Sequence, residues 1–395
     1  MNAQLATASP TMFAFSPVCI AELQQSFLAQ HEHVLRSSVA TIARYRTASQ
    51  HLIDFAATLK TTVKAHEISA MAFVAFLRSR AVSPNGHSNT AKRQLRDKGV
   101  QFIIEVCRSM YGFAQRQRHL PPYLTNPFAE LRVDRMRIED AKPIFVFDAD
   151  LEYEFLKVTK AWEFPIQFTL AKTGMRPGEL CHLLIEDLDL AGGWLFVRNK
   201  PELGWSVKTR NERAIPLLPE LRSVLSRVIG DRTAGVVFRR PRFVHAATPA
   251  AIAGRQQLGE LLQDRLAIQA VDHDLDRRGR LHAAQNLWRA AGAFDPDQIR
   301  NSFIRIARRC GRPQATCPKS WRHTVATLLQ DANVDPLLRQ ITLGHKPAGA
   351  GGALGMTGVY THSRPETQAR EITRALQSWP RSLELARTWA EHGGV

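Results

Sequence analysis

Residues 20 to about 117 carry a helical spacing of apolar residues that is never replaced by the alternating spacing of a strand. Apolar residues recur three, four or seven positions apart, so that each set lies on one side of a helix. Ile20, Leu23 and Phe27 form the first such set. We predict a fourth and longest helix that starts near Ser88 or Thr90 and ends at about Gln117. The pattern restricts the N-terminal third of the chain to a bundle of helices.

Prolines and charged residues then divide the chain. Pro121-Pro122 and Asn126-Pro127 are followed by a charged stretch that ends at Pro143. Such segments interrupt regular structure and are typical of linkers between domains. We therefore expect a loose tail over residues 1–18, a helical domain over 19–130, a linker over 131–144 and a second domain over 145–395.

The second domain has a different pattern. Helices are predicted at about 149–161 and 165–173, and three short strands follow turn residues at Trp194–Arg198, Trp205–Thr209 and Arg213–Leu217. Residues 240–300 are expected to be an exposed insertion, and a helical segment is expected after residue 360. The predicted fold class is therefore mainly α with a small antiparallel β-sheet.

Composition restricts the partners and the cellular location that the chain can have. Lys and Arg number 53 against 36 Asp and Glu, which gives a net charge of +17. This surplus indicates either a polyanionic partner or a generally basic proteome. The five cysteines, Cys19, Cys107, Cys181, Cys310 and Cys317, form no disulfide pattern. The two long uncharged stretches contain too many polar or glycine residues for a signal peptide or a membrane span, so we expect a cytoplasmic protein.

Five short stretches of the second domain carry basic residues next to residues that are typical of turns or of the start of a helix. They are Thr173-Gly-Met-Arg-Pro-Gly-Glu-Leu180, Val207-Lys-Thr-Arg-Asn-Glu-Arg-Ala-Ile-Pro-Leu217, Lys319-Ser-Trp-Arg-His-Thr-Val-Ala-Thr327, Leu343-Gly-His345 and Thr357-Gly-Val-Tyr-Thr-His362. In this order they resemble the motifs of the tyrosine recombinases, the phage-integrase family. The resemblance covers roughly residues 35–375. It implies an all-helical SAM-like core-binding domain followed by an α+β catalytic domain.

The chemistry of these residues agrees with the resemblance. A DNA phosphodiester is an anion that repels nucleophiles, and arginine binds its oxygens through two parallel hydrogen bonds. We expect Arg176 and Arg322 to hold the phosphate and Glu179 to orient Arg176. Attack by the Tyr360 hydroxyl would leave a 3′-phosphotyrosyl enzyme and a free 5′ hydroxyl. This step needs no ATP, cofactor or metal.

The resemblance assigns the remaining roles. Lys208, on the middle predicted strand, would act as general acid on the departing 5′ oxygen. His345 would donate a hydrogen bond to the phosphate, and His323 would pack behind the site. Lys319 stands where the family usually has a histidine, so removal of the proton from Tyr360 is harder to assign.

The predicted partner is double-stranded DNA. Residues 31–140 hold 17 Lys or Arg against 9 Asp or Glu. The opening turns of the fourth helix are a candidate DNA-binding surface, with Lys92, Arg93, Arg96 and Lys98. The resemblance further implies a homotetramer on two DNA sites, and the need for a second recombinase stays open.

Three features separate this chain from the usual family pattern. They are Lys319, the glycine-rich stretch between His345 and Tyr360, and the insertion near 240–300. They favour integration, excision or transposition of a mobile element over chromosome resolution. Two alternatives stay open: DNA relaxation of the type IB topoisomerase kind, and a DNA-binding protein of the same fold that has lost catalysis.

Overall fold

The computed structural model describes residues 15–59, 63–83, 90–141, 143–208, 210–272, 275–344 and 364–393. Its contacts divide the chain into an N-terminal unit, residues 1–143, and a C-terminal unit, residues 144–395. Both are mainly helical, and the small sheets are antiparallel, as the sequence predicts. Among the described residues no helix is both long and apolar enough to cross a membrane.

In its described residues the N-terminal unit is a bundle of four α-helices around one apolar core. Its elements are α1 (Ile20–Ala29), α2 (Val39–Ala56), α3 (Ala70–Ser79), β1 (Ala81–Val82), β2 (Arg93–Gln94) and α4 (Asp97–Arg116). The predicted stripe is buried: Ile20, Leu23 and Phe27 lie in the core. Ser38 caps α2 by accepting a 3.1 Å hydrogen bond from the Thr41 N–H.

The predicted start of the fourth helix is wrong. α4 begins at Asp97, whose carboxylate accepts hydrogen bonds from Arg78 and from the Glu139 N–H. This fixed carboxylate stands at the helix N-terminus, where negative charge is stabilised. The preceding residues Arg93 and Gln94 pair with Val82 and Ala81 as a short hairpin.

The predicted linker also begins too early. Val133 is buried in the core of the N-terminal unit. The Asp140 carboxylate accepts a 3.2 Å hydrogen bond from the Asp97 N–H. Residues 133–140 therefore pack with the N-terminal unit.

The C-terminal unit is built around one buried helix. Its first elements are α5 (Ala149–Lys157), α6 (Phe164–Thr173), α7 (Pro177–Cys181), β3 (Leu188–Asp189), β4 (Trp194–Val197), β5 (Arg213–Pro216) and α8 (Pro219–Ile229). They are followed by α9 (Pro249–Ile252), α10 (Arg255–Asp272), α11 (Arg277–Ala290), α12 (Pro296–Arg309), α13 (Lys319–Asp331), α14 (Pro336–Leu343), α15 (Pro365–Leu376) and α16 (Pro380–His392). Every residue of α6 is buried, so α6 forms the centre of the unit.

A buried ion pair ties three helices of this unit together. The Lys172 ammonium of α6 binds the Glu152 carboxylate of α5 and donates a 2.9 Å hydrogen bond to Ser382 of α16. The last helix also buries Leu383 and Trp389 in the same core. These contacts fix α16 to the rest of the C-terminal unit.

The sheet has the strand order β3-β4-β5, with all neighbours antiparallel. The first and third predicted strands are present, and Val197 faces Arg213 across the pair β4–β5. The predicted strand Trp205–Thr209 is wrong in the part that the structure describes. There Trp205 forms an isolated bridge with Lys200, and Lys208 lies in a turn. Thr209 lies outside the described residues.

The prediction that the insertion near 240–300 is exposed is also wrong. α10 and α11 pack on each other and share an apolar core of their own with residues of the sheet region. Its members include Leu203, Leu258, Leu262, Ala284, Leu287 and Trp288.

Candidate active site

Arg176 lies between the central helix and a short helix, where its side chain is only partly covered. Gly174 ends α6 with a positive φ of 61°, and a Cβ there would approach Leu343 Cδ2 to 2.8 Å. Glycine is needed because it adopts this conformation and takes little space. Arg176 then occupies the N-cap of α7. This arrangement places the guanidinium beside the positive end of a helix.

Glu179 holds Arg176 from the first turn of α7. Its carboxylate accepts a 2.8 Å hydrogen bond from the Arg176 N–H and a 2.7 Å bond from Arg176 Nη1. The predicted contact between these two residues is therefore present in the structure.

Arg213 of β5 is a third member of this group, which the sequence analysis did not single out. Its Nη1 and Nη2 donate to the two oxygens of Glu179 at 3.2 and 2.7 Å, and its Nε donates to the Thr342 carbonyl at 2.9 Å. The side chain is buried. A buried arginine needs a carboxylate partner, but the partner of Arg213 lies 34 residues away in sequence, so no local pattern identifies it.

These contacts control the charge of Glu179. Burial alone raises the pKa of a carboxyl group, but the hydrogen bond and charge of Arg213 outweigh burial, with bonds from Arg176 acting in the same direction. The pKa of Glu179 is lowered as a result. Glu179 is therefore an anion with both oxygens occupied.

Arg322 of α13 lies close enough to Arg176 and Arg213 to feel their charges. It is buried, and it donates a 3.0 Å hydrogen bond to the Gly174 carbonyl and another to the Leu343 carbonyl. Burial, followed by the charges of Arg176 and Arg213, lowers the pKa of the Arg322 guanidinium to about 10. None of the ion pairs between described residues includes Arg322.

Arg176, Arg213 and Arg322, here called the arginine cluster, share one carboxylate among the described residues. Glu179 neutralises one of three positive charges. A surplus of buried or half-buried positive charge is unfavourable unless an anion binds. The cluster can therefore bind a tetrahedral or planar anion, and arginine provides the paired donors that phosphate prefers.

The other basic residues of the third motif lie at the start of α13. Lys319 is the first residue of the helix and is exposed. His323 is half-buried, and burial, then the charges of Lys319 and Arg322, lower its pKa. These contacts place His323 beside the arginine cluster.

No hydrogen bond or ion pair between described residues joins Lys208 to the arginine cluster. The lysine is exposed in the segment that joins β4 to β5, and none of the hydrogen bonds and ion pairs between described residues involves it. The other lysine of this segment, Lys200, is buried and binds the Asp187 carboxylate at 2.8 Å.

Two predicted site residues, His345 and Tyr360, lie outside the described residues. Gly344, the residue before His345, is described. A Cβ at Gly344 would meet Arg213 Cδ at 2.8 Å, so the chain leaves α14 in close contact with the arginine cluster. No three His, Cys, Asp or Glu side chains are grouped for metal binding in the part of the chain that the structure describes.

The four basic residues predicted to bind DNA do not lie along one helix. Lys92 precedes β2, Arg93 belongs to β2, Arg96 is the N-cap of α4 and Lys98 is in its first turn. The predicted helical face is wrong because α4 begins at Asp97.

Comparison with known proteins decides the family. The model of the phage integrase family matches residues 159–367, which is more than half of the chain and includes the arginine cluster. The chain belongs to the phage integrase family. Its fold is that of the tyrosine recombinases, and no curated protein sequence shows a significant match.

Solved structures with a similar fold include integrases bound to DNA. A lambda integrase dimer bound to a COC' core site has 13% identity and a TM-score of 0.53, with 91% of this chain and 79% of that chain covered. The Tn1549 transposon integrase in complex with transposon right end DNA has 16% identity and a TM-score of 0.56, with 90% and 99% covered. A lambda integrase tetramer bound to a Holliday junction has 16% identity and a TM-score of 0.52, with 82% and 77% covered.

Proposed function

We propose that this phage-integrase family member cuts and rejoins double-stranded DNA at specific sites through a 3′-phosphotyrosyl intermediate. The arginine cluster carries the proposal, because three guanidinium groups share a single carboxylate. An anionic phosphodiester supplies the missing negative charge. Family membership and the predicted nucleophile in the fifth motif supply the reaction class.

The proposed chemistry balances without a cofactor. Arg176 and Arg322 bind the non-bridging oxygens, which lowers the repulsion felt by an attacking phenolate. The Tyr360 hydroxyl loses its proton to water, and the bond from its oxygen to phosphorus forms as the bond from phosphorus to the 5′ oxygen breaks. Lys208 gives a proton to the departing oxygen, and attack by a 5′ hydroxyl reverses the step.

The other proposed roles support this centre. Glu179 orients Arg176, while Lys319 and His345 donate hydrogen bonds to the phosphate and His323 packs behind Arg322. Lys92, Arg93, Arg96 and Lys98 contact the DNA backbone from the N-terminal unit.

The proposed setting is a mobile element that moves by integration, excision or transposition. The structurally similar proteins include a transposon integrase and an integrase tetramer on a Holliday junction. We propose by analogy that four copies of this chain assemble on two DNA sites in the cytoplasm, at the nucleoid.

The test is capture of the covalent intermediate on nicked duplexes. The duplexes are first enriched for binding from a pool with a randomised core, because the target site is unknown. A nick lets the short 5′-hydroxyl fragment leave, which traps the protein on the 3′ phosphate. We expect a denaturant-resistant adduct with the parent protein and none with Tyr360→Phe.

The matched control is Tyr153→Phe, which removes a tyrosine hydroxyl from α5 and should leave adduct formation unchanged. Binding of the DNA by both parent and Tyr360→Phe without any adduct would favour the non-catalytic alternative. Relaxation of plasmids that lack an enriched site would favour the topoisomerase alternative.

A further inference from the structure

Residues 198–212, here called the lysine loop, join β4 to β5 and carry Lys208. A connection of this length loses much conformational entropy when one side chain must be held at a fixed point. Lys208 itself is exposed and has no partner among the described residues. Its position must therefore be set by the contacts of the loop around it.

Asn199 holds the loop on both sides of Lys208. Its side-chain oxygen accepts a 2.9 Å hydrogen bond from the Val207 N–H, and its side-chain nitrogen donates to the Arg210 carbonyl at 3.2 Å. Its own N–H donates to Glu212 at 2.7 Å. One amide side chain thus bridges Val207, just before the lysine, and Arg210, two residues after it.

Arg255, the first residue of α10, holds Asn199 in turn. Its Nη2 donates to the Asn199 carbonyl at 2.8 Å and its Nε donates to the Glu202 carboxylate at 2.5 Å. Its backbone N–H donates to Glu186 at 2.7 Å. Arg255 therefore connects the insertion to the base of the lysine loop by two hydrogen bonds, and to the segment before β3 by a third.

α11 contacts the same loop from a second direction. The Trp288 indole N–H donates to the Leu203 carbonyl at 3.1 Å. Gly204 has a φ of 67°, and a Cβ there would lie 2.6 Å from the Ala284 Cβ. Loop and helix are therefore packed to direct contact, which leaves no room for the base of the loop to shift towards α11.

We propose that the α10–α11 pair positions the proposed general acid, with Arg255 and Asn199 as positioning residues that act through the backbone around Lys208. This inference rests on the proposed function. It gives the insertion a role in the departure of the 5′ oxygen rather than in binding of the phosphate. Loss of either residue frees the lysine without removing any group that touches the DNA phosphate.

The experiment compares two leaving groups. A 5′ oxygen needs a proton as it departs, whereas a 5′ sulfur in the same bridging position departs as a thiolate because thiols are far stronger acids than alcohols. The Tyr360 oxygen-to-phosphorus bond forms in both cases, and only the phosphorus-to-oxygen or phosphorus-to-sulfur bond differs. A variant that impairs only proton donation by the general acid should therefore cleave the sulfur substrate at close to the parental rate.

The variants are Arg255→Ala, Asn199→Ala and Lys208→Ala, and the readout is the single-turnover rate of adduct formation. We expect Arg255→Ala and Asn199→Ala to slow cleavage of ordinary DNA by about 10- to 100-fold, since small displacements of a catalytic group cost this much. With the sulfur substrate all three variants should come within about threefold of the parent. Arg278→Ala, an exposed arginine of α11, is the matched control and should match the parent on both substrates.

Two results would overturn the inference. One is an equal loss on both substrates, which indicates general damage to the fold or to DNA binding. The other is parent-like cleavage of ordinary DNA by Arg255→Ala and Asn199→Ala. The proposed function fails separately, if the parent forms no adduct or if sulfur does not rescue Lys208→Ala.

Discussion

Arg213 and Glu179 form a buried bidentate ion pair, with oxygen-to-nitrogen distances of 3.2 and 2.7 Å. The same carboxylate also binds Arg176 at 2.7 Å. Arg213 thus fixes the position of Arg176, although the two arginines are connected only through Glu179. The orientation of the more exposed arginine is set by a residue on a different element of the fold.

Arg213→Lys should therefore reduce cleavage while keeping the positive charge. Lysine cannot donate to both carboxylate oxygens and to the Thr342 carbonyl at once, so Glu179 and Arg176 shift. We expect the single-turnover rate of adduct formation to fall by about 100-fold. Arg222→Lys, which changes a partly exposed arginine of the same unit, is the control, and equal rates for both variants would contradict the assignment.

The ion pair between Lys172 and Glu152 should matter for stability. Lys172→Met leaves the buried carboxylate of Glu152 without its partner, which costs about 3–5 kcal/mol. The double variant Lys172→Met, Glu152→Leu should recover most of this loss because neither charge remains. Urea unfolding of the C-terminal unit measures both. Additive losses in the double variant would show that the charges do not interact in this way.

Acid should weaken the packing around His182. Burial is the main cause that lowers the pKa of His182 to about 4, and its ring stacks on Trp205 with centroids 4.9 Å apart. Because the unfolded chain takes up a proton near pH 6.5 and the folded chain does so only near pH 4, the His182 contribution is complete above pH 6.5. It is lost progressively as the pH falls from 6.5 to 4, by up to about 3 kcal/mol.

His182→Phe keeps an aromatic ring and removes the titrating group, so it isolates this effect. The free energy of unfolding, measured between pH 7 and pH 4, should fall more steeply for the parent than for the variant. Parallel curves for the two proteins would refute the depressed pKa.

The contact between Gly204 and Ala284 can be tested by a pair of substitutions. Gly204→Ala adds a methyl group 2.6 Å from the Ala284 Cβ and also strains a positive φ, so we expect a loss of about 2–4 kcal/mol. Adding Ala284→Gly should remove the clash, which leaves the backbone strain of about 1–2 kcal/mol and the cost of up to about 1 kcal/mol for a glycine inside α11. Thermal unfolding distinguishes the two, and no recovery in the double variant would contradict direct packing of α11 on the lysine loop.

The helices and the family could be predicted from sequence because both depend on local patterns. The apolar stripe of α1 is buried as its spacing indicates, and the phage integrase model matches the region that carries the motifs. Arg176 and Glu179 are three residues apart, so their contact also follows from local geometry.

The errors concern contacts between distant parts of the chain. Trp205 and Val207 have strand-forming side chains, but the 3₁₀ turn Pro201–Leu203 and the packing of Trp288 hold this segment as a loop. α10 carries several charged residues, so the few buried positions that attach it to the sheet region do not stand out in the sequence. Arg213 could not be recognised because its partner is 34 residues away in sequence.

The most direct test of the proposed mechanism is to identify the residue that carries the DNA. The trapped adduct is digested with nuclease and protease, and the nucleotide-bearing peptide is sequenced by mass spectrometry. We expect a phosphodiester remnant on Tyr360, and no adduct from proteins in which Arg176 or Arg322 is changed to alanine. A remnant on another residue, or undiminished adduct formation without those arginines, would contradict the proposed mechanism.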